Sequence, residues 1–295
     1  MAEIRVALTF DDLPSLVLDA PSATCEVMDP GERRCVAQRL VETLRSASVP
    51  AVAFVNSGFL GGQEDLVRPW IEAGVELGNH TARHSSVDSL PLDVWADEVR
   101  ECDAFLGAMG STGRRFFRHP YLRYGGSPHR QAAARRFLLE EGYVQAHATA
   151  VPADWLLARF YREARDCGDT TRMRRVEERL AGHTLEVLEA AHHSLRRLLG
   201  RPAPQVLDLH VHRLAAAHLD STLDRLRKGG ACFIPLTEAL ADPVYQLDPT
   251  EWSAGGSWVE RLAPASADAL WFRRQPDRLR RWWREQCELP SQSSG

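Results

Sequence analysis

Short apolar runs alternate with amphipathic segments along most of this 295-residue chain. The runs Ile4–Phe10, Ala51–Val55 and Gln205–His210 have the length of buried strands. The segments Glu32–Ser48 and Pro91–Met109 repeat their apolar residues at helical spacing. Strands that alternate with helices predict an α/β fold with a parallel sheet, because each helix carries the chain back to the starting end of the next strand. Further strand candidates are Gly74–Gly78, Phe116–Phe117, Tyr143–Ala150 and Ala231–Pro235.

The strand count limits the architecture. Because only six or seven strand candidates are recognisable, we expect a distorted β/α barrel and not a complete eight-stranded one. A helical block at about 156–199, interrupted near Cys167, is predicted as an insertion before the last strands. Residues 1–241 would form the barrel, and residues 242–295 a Trp-rich helical extension whose last residues are disordered. The extension either folds back onto the barrel or contributes to a homodimer interface.

Composition excludes several classes of protein. The chain is 44% hydrophobic and 26% charged, as in an ordinary globular protein. Its formal net charge of −4 argues against a nucleic-acid partner, which a basic surface would attract. No apolar run approaches the about 20 residues of a membrane span, and no signal peptide is recognisable, so we expect a cytoplasmic protein. Scattered cysteines without a CxxC pair indicate reduced thiols, although Cys25 and Cys35 could pair in an oxidising compartment.

Two short segments carry the residue types of a metal site. Asp11 and Asp12 follow the first apolar run, and His80 and His84 lie four residues apart after a later one. One carboxylate and two imidazoles can hold a catalytic divalent metal and leave a position for water. The second carboxylate is then available to move protons. A histidine pair at this spacing is often only a surface pair, but the nearby carboxylates and Asn79 favour a metal site.

Polar residues also follow the other strand candidates, at Arg118–Tyr121, Asp154–Trp155 and His210. In parallel α/β folds the active site lies where the carboxyl ends of the strands meet. We therefore expect these clusters to join the aspartates and histidines in one site.

With these motifs the chain resembles the polysaccharide deacetylase family, also called carbohydrate esterase family 4. The resemblance covers about two thirds of the chain and follows the family's motif order. It implies a distorted β/α barrel and metal-dependent N- or O-deacetylation. The five motifs are Thr9-Phe10-Asp11-Asp12, His80 to His84, Arg118-His119-Pro120-Tyr121, Asp154-Trp155 and Leu207-Asp208-Leu209-His210.

The resemblance assigns the metal and the base. Asp12, His80 and His84 would hold the metal, and Asp11 would take a proton from the attacking water. Zn²⁺ is the first expectation for this donor set, and Co²⁺, Ni²⁺ or Mn²⁺ would also suit it.

The general acid would be His210, which protonates the leaving amine. Asp154 would orient His210 or pair with Arg118, and the family pattern couples Arg118 to the base. A buried Arg–Asp pair that serves only as scaffold is the alternative. His212, two residues after the acid, either supports the site or faces solvent.

Three further positions would contact the substrate. The backbone N–H of Tyr121 would stabilise the oxyanion. Trp155 and Leu209, together with Leu207, would surround the acetyl methyl group or simply belong to the barrel core.

The chain departs from the family pattern where a substrate would lie. Val151 stands where the family often has a further aspartate, and His119 stands where a proline or small residue is common. The helical block that follows Asp154 would wall the site. These features favour a small N-acylated substrate, such as an N-acetylated amino sugar or a biosynthetic intermediate. Hydrolysis of a cyclic amide, an imide or an N-formyl group, deacetylation of a polysaccharide or oligosaccharide, and a non-catalytic binding module remain as alternatives.

Overall fold

Seven parallel strands form one curled sheet in the computed structural model, which describes residues 3–15, 28–111, 113–249 and 255–288. The order across the sheet is β5-β4-β3-β2-β1-β6, and β7 pairs with the first residues of β1. The strands are Ile4–Leu13 (β1), Ala51–Val55 (β2), Glu76–Asn79 (β3), Phe116–Phe117 (β4), Val144–Gln145 (β5), Gln205–His210 (β6) and Ala231–Phe233 (β7).

Helices connect the strands and cover the outside of the sheet. Helix α1 begins with a capping box in which Asp29 and Glu32 each accept from the other's backbone N–H, so two otherwise orphaned donors are satisfied. The helices are Pro30–Ala47 (α1), Arg68–Glu72 (α2), Leu92–Ala108 (α3), Pro128–Glu140 (α4), Asp154–Asp166 (α5), Thr170–Leu199 (α6), Arg213–Lys228 (α7), Leu236–Leu240 (α8), Trp258–Leu262 (α9), Ala267–Arg273 (α10) and Gln275–Glu288 (α11).

The predicted strand Tyr143–Ala150 is shorter than expected, because this segment changes partners. Ala146 still donates to Phe117 of β4, whereas Ala150 donates to Val206 of β6. A parallel bridge joins Ala150 to Leu207. The change of partner interrupts the regular ladder, and it brings the segment after β5 back to β6 so that the sheet curls into a barrel.

The second half of α6 packs into the main hydrophobic core through Leu188, Ala191 and Leu195. This part of the predicted insertion is therefore the crossover helix that leads to β6. The first half of α6 forms a second apolar cluster with α5, α11 and the start of α7. In that cluster Trp283 stacks on Phe160, with ring centroids 4.9 Å apart and an angle of 10° between the ring planes.

The described parts of the C-terminal extension fold back onto the barrel. Trp258 is buried, donates from Nε1 to the Val244 carbonyl, and stacks on His147 at 3.8 Å. The predicted distorted barrel of six or seven strands, with added helices before and after the last strands, is confirmed. The division at residue 241 and the homodimer stay predictions, and residues 289–295 lie outside the described part. No helix among the described residues is long and apolar enough to cross a bilayer.

Candidate metal centre and active site

Both aspartates at the end of β1 turn toward the same imidazole. In a regular strand, neighbouring side chains point to opposite faces. Here the pairing of β1 with β2 shifts register between Phe10 and Leu13, and Asp12 has a left-handed φ of 63°. This irregularity lets Asp11 and Asp12 each place a carboxylate oxygen 3.6 Å from Nε2 of His80.

Two asparagines hold the histidine segment in place. Asn56 donates to the carbonyls of His80 and Thr81, at 2.6 and 3.1 Å. The side-chain oxygen of Asn79 accepts from the N–H of Thr81 at 2.9 Å. Thr81 and His84 have φ values of 63° and 57°, which non-glycine residues adopt only where surrounding contacts enforce them. The asparagine contacts supply that constraint at Thr81.

Asp12, His80 and His84 form the predicted metal triad. One ligand atom from each can be chosen so that all three lie within 4.8 Å of one another, and all three side chains are buried. Nε2 of His84 lies 3.2 Å from Oδ1 of Asp12. Nδ1 of His80 lies 2.8 Å from the Arg118 carbonyl, so it carries the hydrogen and leaves the lone pair on Nε2 facing the carboxylates.

The donor set fits a divalent metal. Oδ1 of Asp11 and Nδ1 of His84 are buried and have no hydrogen-bond partner among the described residues. Burial lowers the pKa of His80 to about 3 and holds the pKa of His84 well below its ordinary value, with His80 adding to the effect. Both imidazoles are therefore neutral near pH 7, which is the form that ligates a metal.

Arg118 bridges two buried carboxylates. One of its Nη atoms lies 3.2 Å from Asp208 and 3.6 Å from Asp11, and the other donates to the Thr9 hydroxyl at 3.1 Å. Burial alone would lower the pKa of Arg118, but the two carboxylates outweigh it and raise the pKa. From the sequence we predicted no role for Asp208. Its position two residues before His210, and so on the same face of β6, was the available signal.

Asp154 contacts His210 and not Arg118. His210 and Arg118 were the two predicted partners, and the structure pairs Asp154 with His210. Its Oδ1 lies 2.8 Å from Nδ1 of His210, and its Oδ2 accepts from the His210 backbone N–H. Burial alone would lower the pKa of His210, but the Asp154 charge and hydrogen bond outweigh it and hold the pKa well above its ordinary value. His210 thus carries a proton at neutral pH.

Tyr121 lies in a one-turn 3₁₀ helix, Pro120–Leu122, at the edge of the triad. Its φ is 57°, and its ring lies 4.4 Å from that of His84. As the second residue of the turn, it has an N–H with no partner inside that helix. That N–H can therefore serve an oxyanion.

The predicted acetyl pocket is the least defined part of the site. Leu207 and Leu209 are buried in the main hydrophobic core, and Trp155 packs at the edge of the second apolar cluster. These contacts account for the three side chains as core residues, and their contact with substrate stays a prediction. His119 stacks on Trp95 with 2° between the ring planes and serves the scaffold.

A family model described as "Polysaccharide deacetylase" matches residues 1–136. That range contains the aspartate, histidine and Arg118–Tyr121 motifs. The resemblance to the polysaccharide deacetylases is confirmed. The match supports the predicted enzyme class, a metal-dependent hydrolase of C–N bonds other than peptide bonds, at the level of this deacetylase family.

Solved deacetylase-family structures share the fold at low sequence identity. PdaA of Bacillus subtilis, a family 4 carbohydrate esterase, is 17% identical with a TM-score of 0.51, covering 81% of each chain. A peptidoglycan N-acetylglucosamine deacetylase is 18% identical with a TM-score of 0.53, covering 80% of this chain and 88% of its own. A family 4 pseudoenzyme from Bacillus anthracis is 16% identical with a TM-score of 0.53, covering 81% of this chain and 66% of its own. Because enzymes and a pseudoenzyme share this fold, catalytic turnover depends on the side chains of the site and not on the fold.

Proposed function

We propose that this protein is a metal-dependent N-deacylase that removes an acyl group, most often acetyl, from a small intracellular substrate such as an amino sugar or a biosynthetic intermediate. The observation that carries the proposal is a buried carboxylate–imidazole triad with a second carboxylate beside it: Nε2 of His80 lies 3.6 Å from both Asp11 and Asp12. Asp12, His80 and His84 would hold Zn²⁺, with Co²⁺, Ni²⁺ and Mn²⁺ as the other candidates.

The metal, when bound, supplies Lewis-acid chemistry that makes a water acidic and polarises the scissile carbonyl. Asp11 takes the proton from the attacking water, and Arg118 keeps this carboxylate in place. The Tyr121 N–H donates to the oxygen that becomes negative as the tetrahedral centre forms. His210, held by Asp154, gives its proton to the nitrogen as the C–N bond breaks. The products are a free amine and a carboxylate.

The elements around the site support a small substrate. Helix α5 begins at Asp154, and its apolar face packs on Leu214 at the start of α7. On another side, the segment at Gly255 runs so close to the Tyr121 carbonyl that an added Cβ would lie 2.6 Å from it. A site bordered in this way suits a small molecule or a chain end, whereas a long polymer needs an open groove.

Unpaired cysteines support an intracellular location. The cysteines in the described part of the chain, Cys35, Cys102, Cys167, Cys232 and Cys287, are all unpaired, as reduced thiols of the cytoplasm are. Cys25, the other candidate for a disulfide, lies outside the described residues.

A substrate panel tests the proposal. Zinc-loaded protein would be incubated with N-acetylglucosamine, its oligomers, acetylated polyamines, N-formyl amines and cyclic imides. The proposal predicts acetate release that is fastest from a monomeric N-acetyl substrate and is absent in Asp11→Asn. Faster release from oligomers would favour the polysaccharide alternative, and formate or a ring-opened acid would favour the formyl or imide alternative. No turnover of any compound would indicate a binding module.

A further inference from the structure

His212 is a second imidazole on Asp154. It lies two residues beyond His210, is fully buried, and places Nε2 2.9 Å from Oδ2 of Asp154. Asp154 thus lies between two histidines, with His210 on its Oδ1 and His212 on its Oδ2. The function proposed above uses only the first of these contacts.

The hydrogen on His212 is located by a backbone contact. His212 is the N-cap residue of α7, and its Nδ1 accepts from the N–H of Ala215 at 2.9 Å. A ring nitrogen that accepts from an N–H carries no hydrogen, so the hydrogen of this imidazole is on Nε2. His212 therefore donates to Asp154.

Three donors among the described residues point at Asp154. These are the backbone N–H of His210, Nδ1 of His210 and Nε2 of His212. Asp154 is also the first residue of the 13-residue helix α5, whose N-terminal dipole favours a negative charge. A carboxylate held by three donors keeps one orientation, and its charge is shared among them.

We propose that His212 is a positioning residue for the acid His210, acting through Asp154. It fixes the second oxygen of the carboxylate, so that the first oxygen stays directed at Nδ1 of His210 and Nε2 of His210 stays free for the substrate. Calling His210 the acid rests on the proposed function, whereas the effect of His212 on the His210 ring does not.

The direction of the effect follows from charge. The charged and titratable groups that act on His210 are Asp154 of α5, Asp208 of β6, Asp12 of β1, and the imidazoles of His80 and His84. Loss of the His212 donor leaves more of the Asp154 charge facing His210. The pH at which His210 releases its proton should then rise, by about half a unit to one unit for one lost hydrogen bond.

The variant His212→Asn separates this role from the helix cap. Asparagine is a preferred N-cap residue, so it can still accept from the Ala215 N–H, but it is too short to reach Asp154. His192→Gln is the matched control, because it removes another buried histidine, in α6, that contacts none of the proposed site residues.

The test is an NMR titration of the His210 ring in metal-free, histidine-labelled protein, followed by kinetics on the loaded enzyme. We expect His212→Asn to move the His210 titration upward and to lower kcat about tenfold with KM within twofold. His192→Gln should do neither. An unchanged His210 titration, or an equal change in both variants, would overturn the proposal.

A measurement on the unmodified protein guards against a variant that does not fold. The ¹⁵N shifts of His212 should show hydrogen on Nε2, and a ring with hydrogen on Nδ1 instead would overturn the proposal. Both NMR readouts hold even if no substrate is turned over, so failure of this inference and failure of the proposed function can be told apart.

Discussion

Oδ1 of Asp208 lies 3.2 Å from an Nη atom of Arg118, and both side chains are buried inside the barrel. Val151 stands where related deacetylases often carry a further aspartate. The N–H of Asp208 donates to the Ala150 carbonyl, next to that position. The carboxylate of Asp208 on β6 therefore lies beside Val151, where the further aspartate is missing. Arg118 contacts both this carboxylate and that of Asp11.

Asp208 should lower the stability of the protein at neutral pH. Burial and the neighbouring Asp11 raise its pKa well above the ordinary value, although Arg118 opposes this. A carboxyl whose pKa is raised on folding stabilises the folded protein fully at pH values below its pKa in the unfolded chain, about 4. This stabilisation is lost as the pH rises through the pKa of the folded state. Asp208→Asn should therefore unfold at a higher temperature than the wild type at pH 7, by about 2 to 4 °C for each kcal/mol gained in the free energy of unfolding. This increase in unfolding temperature should shrink toward pH 4.

Thermal unfolding of metal-free protein at several pH values checks this expectation. The exposed α7 residue Asp220, changed to Asn, is the control and should show no such pH dependence. A variant less stable than the wild type at pH 7 would mean that the ion pair with Arg118 outweighs the burial of the carboxylate.

Asp12→Asn should weaken metal binding without disturbing the fold. Asparagine tolerates the left-handed backbone at this position, where φ is 63°, so the main loss is the charge of the ligand. We expect metal affinity to fall at least about tenfold in a titration followed by calorimetry. His119→Gln changes a buried histidine that stacks on Trp95, and it should bind metal as the wild type does. A metal affinity in Asp12→Asn equal to that of the wild type would remove this residue from the ligand set.

Asp154→Asn should shift the alkaline limb of the pH–rate profile toward lower pH. The Asp154 carboxylate holds the pKa of His210 above its ordinary value, whereas burial alone would lower it. Without the charge, burial leaves His210 mostly without its proton at neutral pH, and turnover there should fall by about 10² to 10⁴. Rates of kcat/KM between pH 5 and 10 measure the shift. An alkaline limb that stays in place would exclude His210 as the group that titrates there.

Trp283 should anchor the C-terminal helices to α5. Its ring stacks on Phe160, and its Nε1 donates to Glu163 at 2.9 Å. We expect Trp283→Ala to lower the free energy of unfolding by about 3 kcal/mol, as for other large core truncations. Leu270→Ala, at an exposed position of α10, should change it by less than about 0.5 kcal/mol. Equal losses in urea unfolding would contradict the packing of α11 on α5.

The order of strands and helices was predictable because periodicity and capping are local properties. The break in the helical block near Cys167 appears as the turn between α5 and α6. Tyr143–Ala150 was predicted as one strand because apolar and polar residues alternate along it, but partner exchange between β4 and β6 is a tertiary effect. The start of helix α7 at Arg213 was harder to predict, because its cap, His212, is not one of the usual capping residues.

One part of the site was predictable: the residues that follow parallel strands, because the carboxyl ends of those strands meet at one edge of the sheet. Asp12, His80 and His84 come together, as do Asp154 and His210, because each follows a strand. The supporting contacts of Asn56, Asp208 and His212 depend on register and side-chain direction, for which a single sequence gives little signal. The left-handed backbone at Asp12, His84 and Tyr121 has no glycine to mark it.

Metal removal and reloading tests the central claim most directly. Protein stripped with a chelator would be reloaded with graded amounts of Zn²⁺, and acetate release from the best N-acetyl substrate would be followed in the wild type and in Asp11→Asn. We predict that wild-type activity rises in proportion to bound metal, up to one ion per chain. We also predict that Asp11→Asn binds the same ion and remains at least about 10²-fold slower. Acetate release from metal-free protein, or loaded Asp11→Asn within a few-fold of the wild type, would contradict the account.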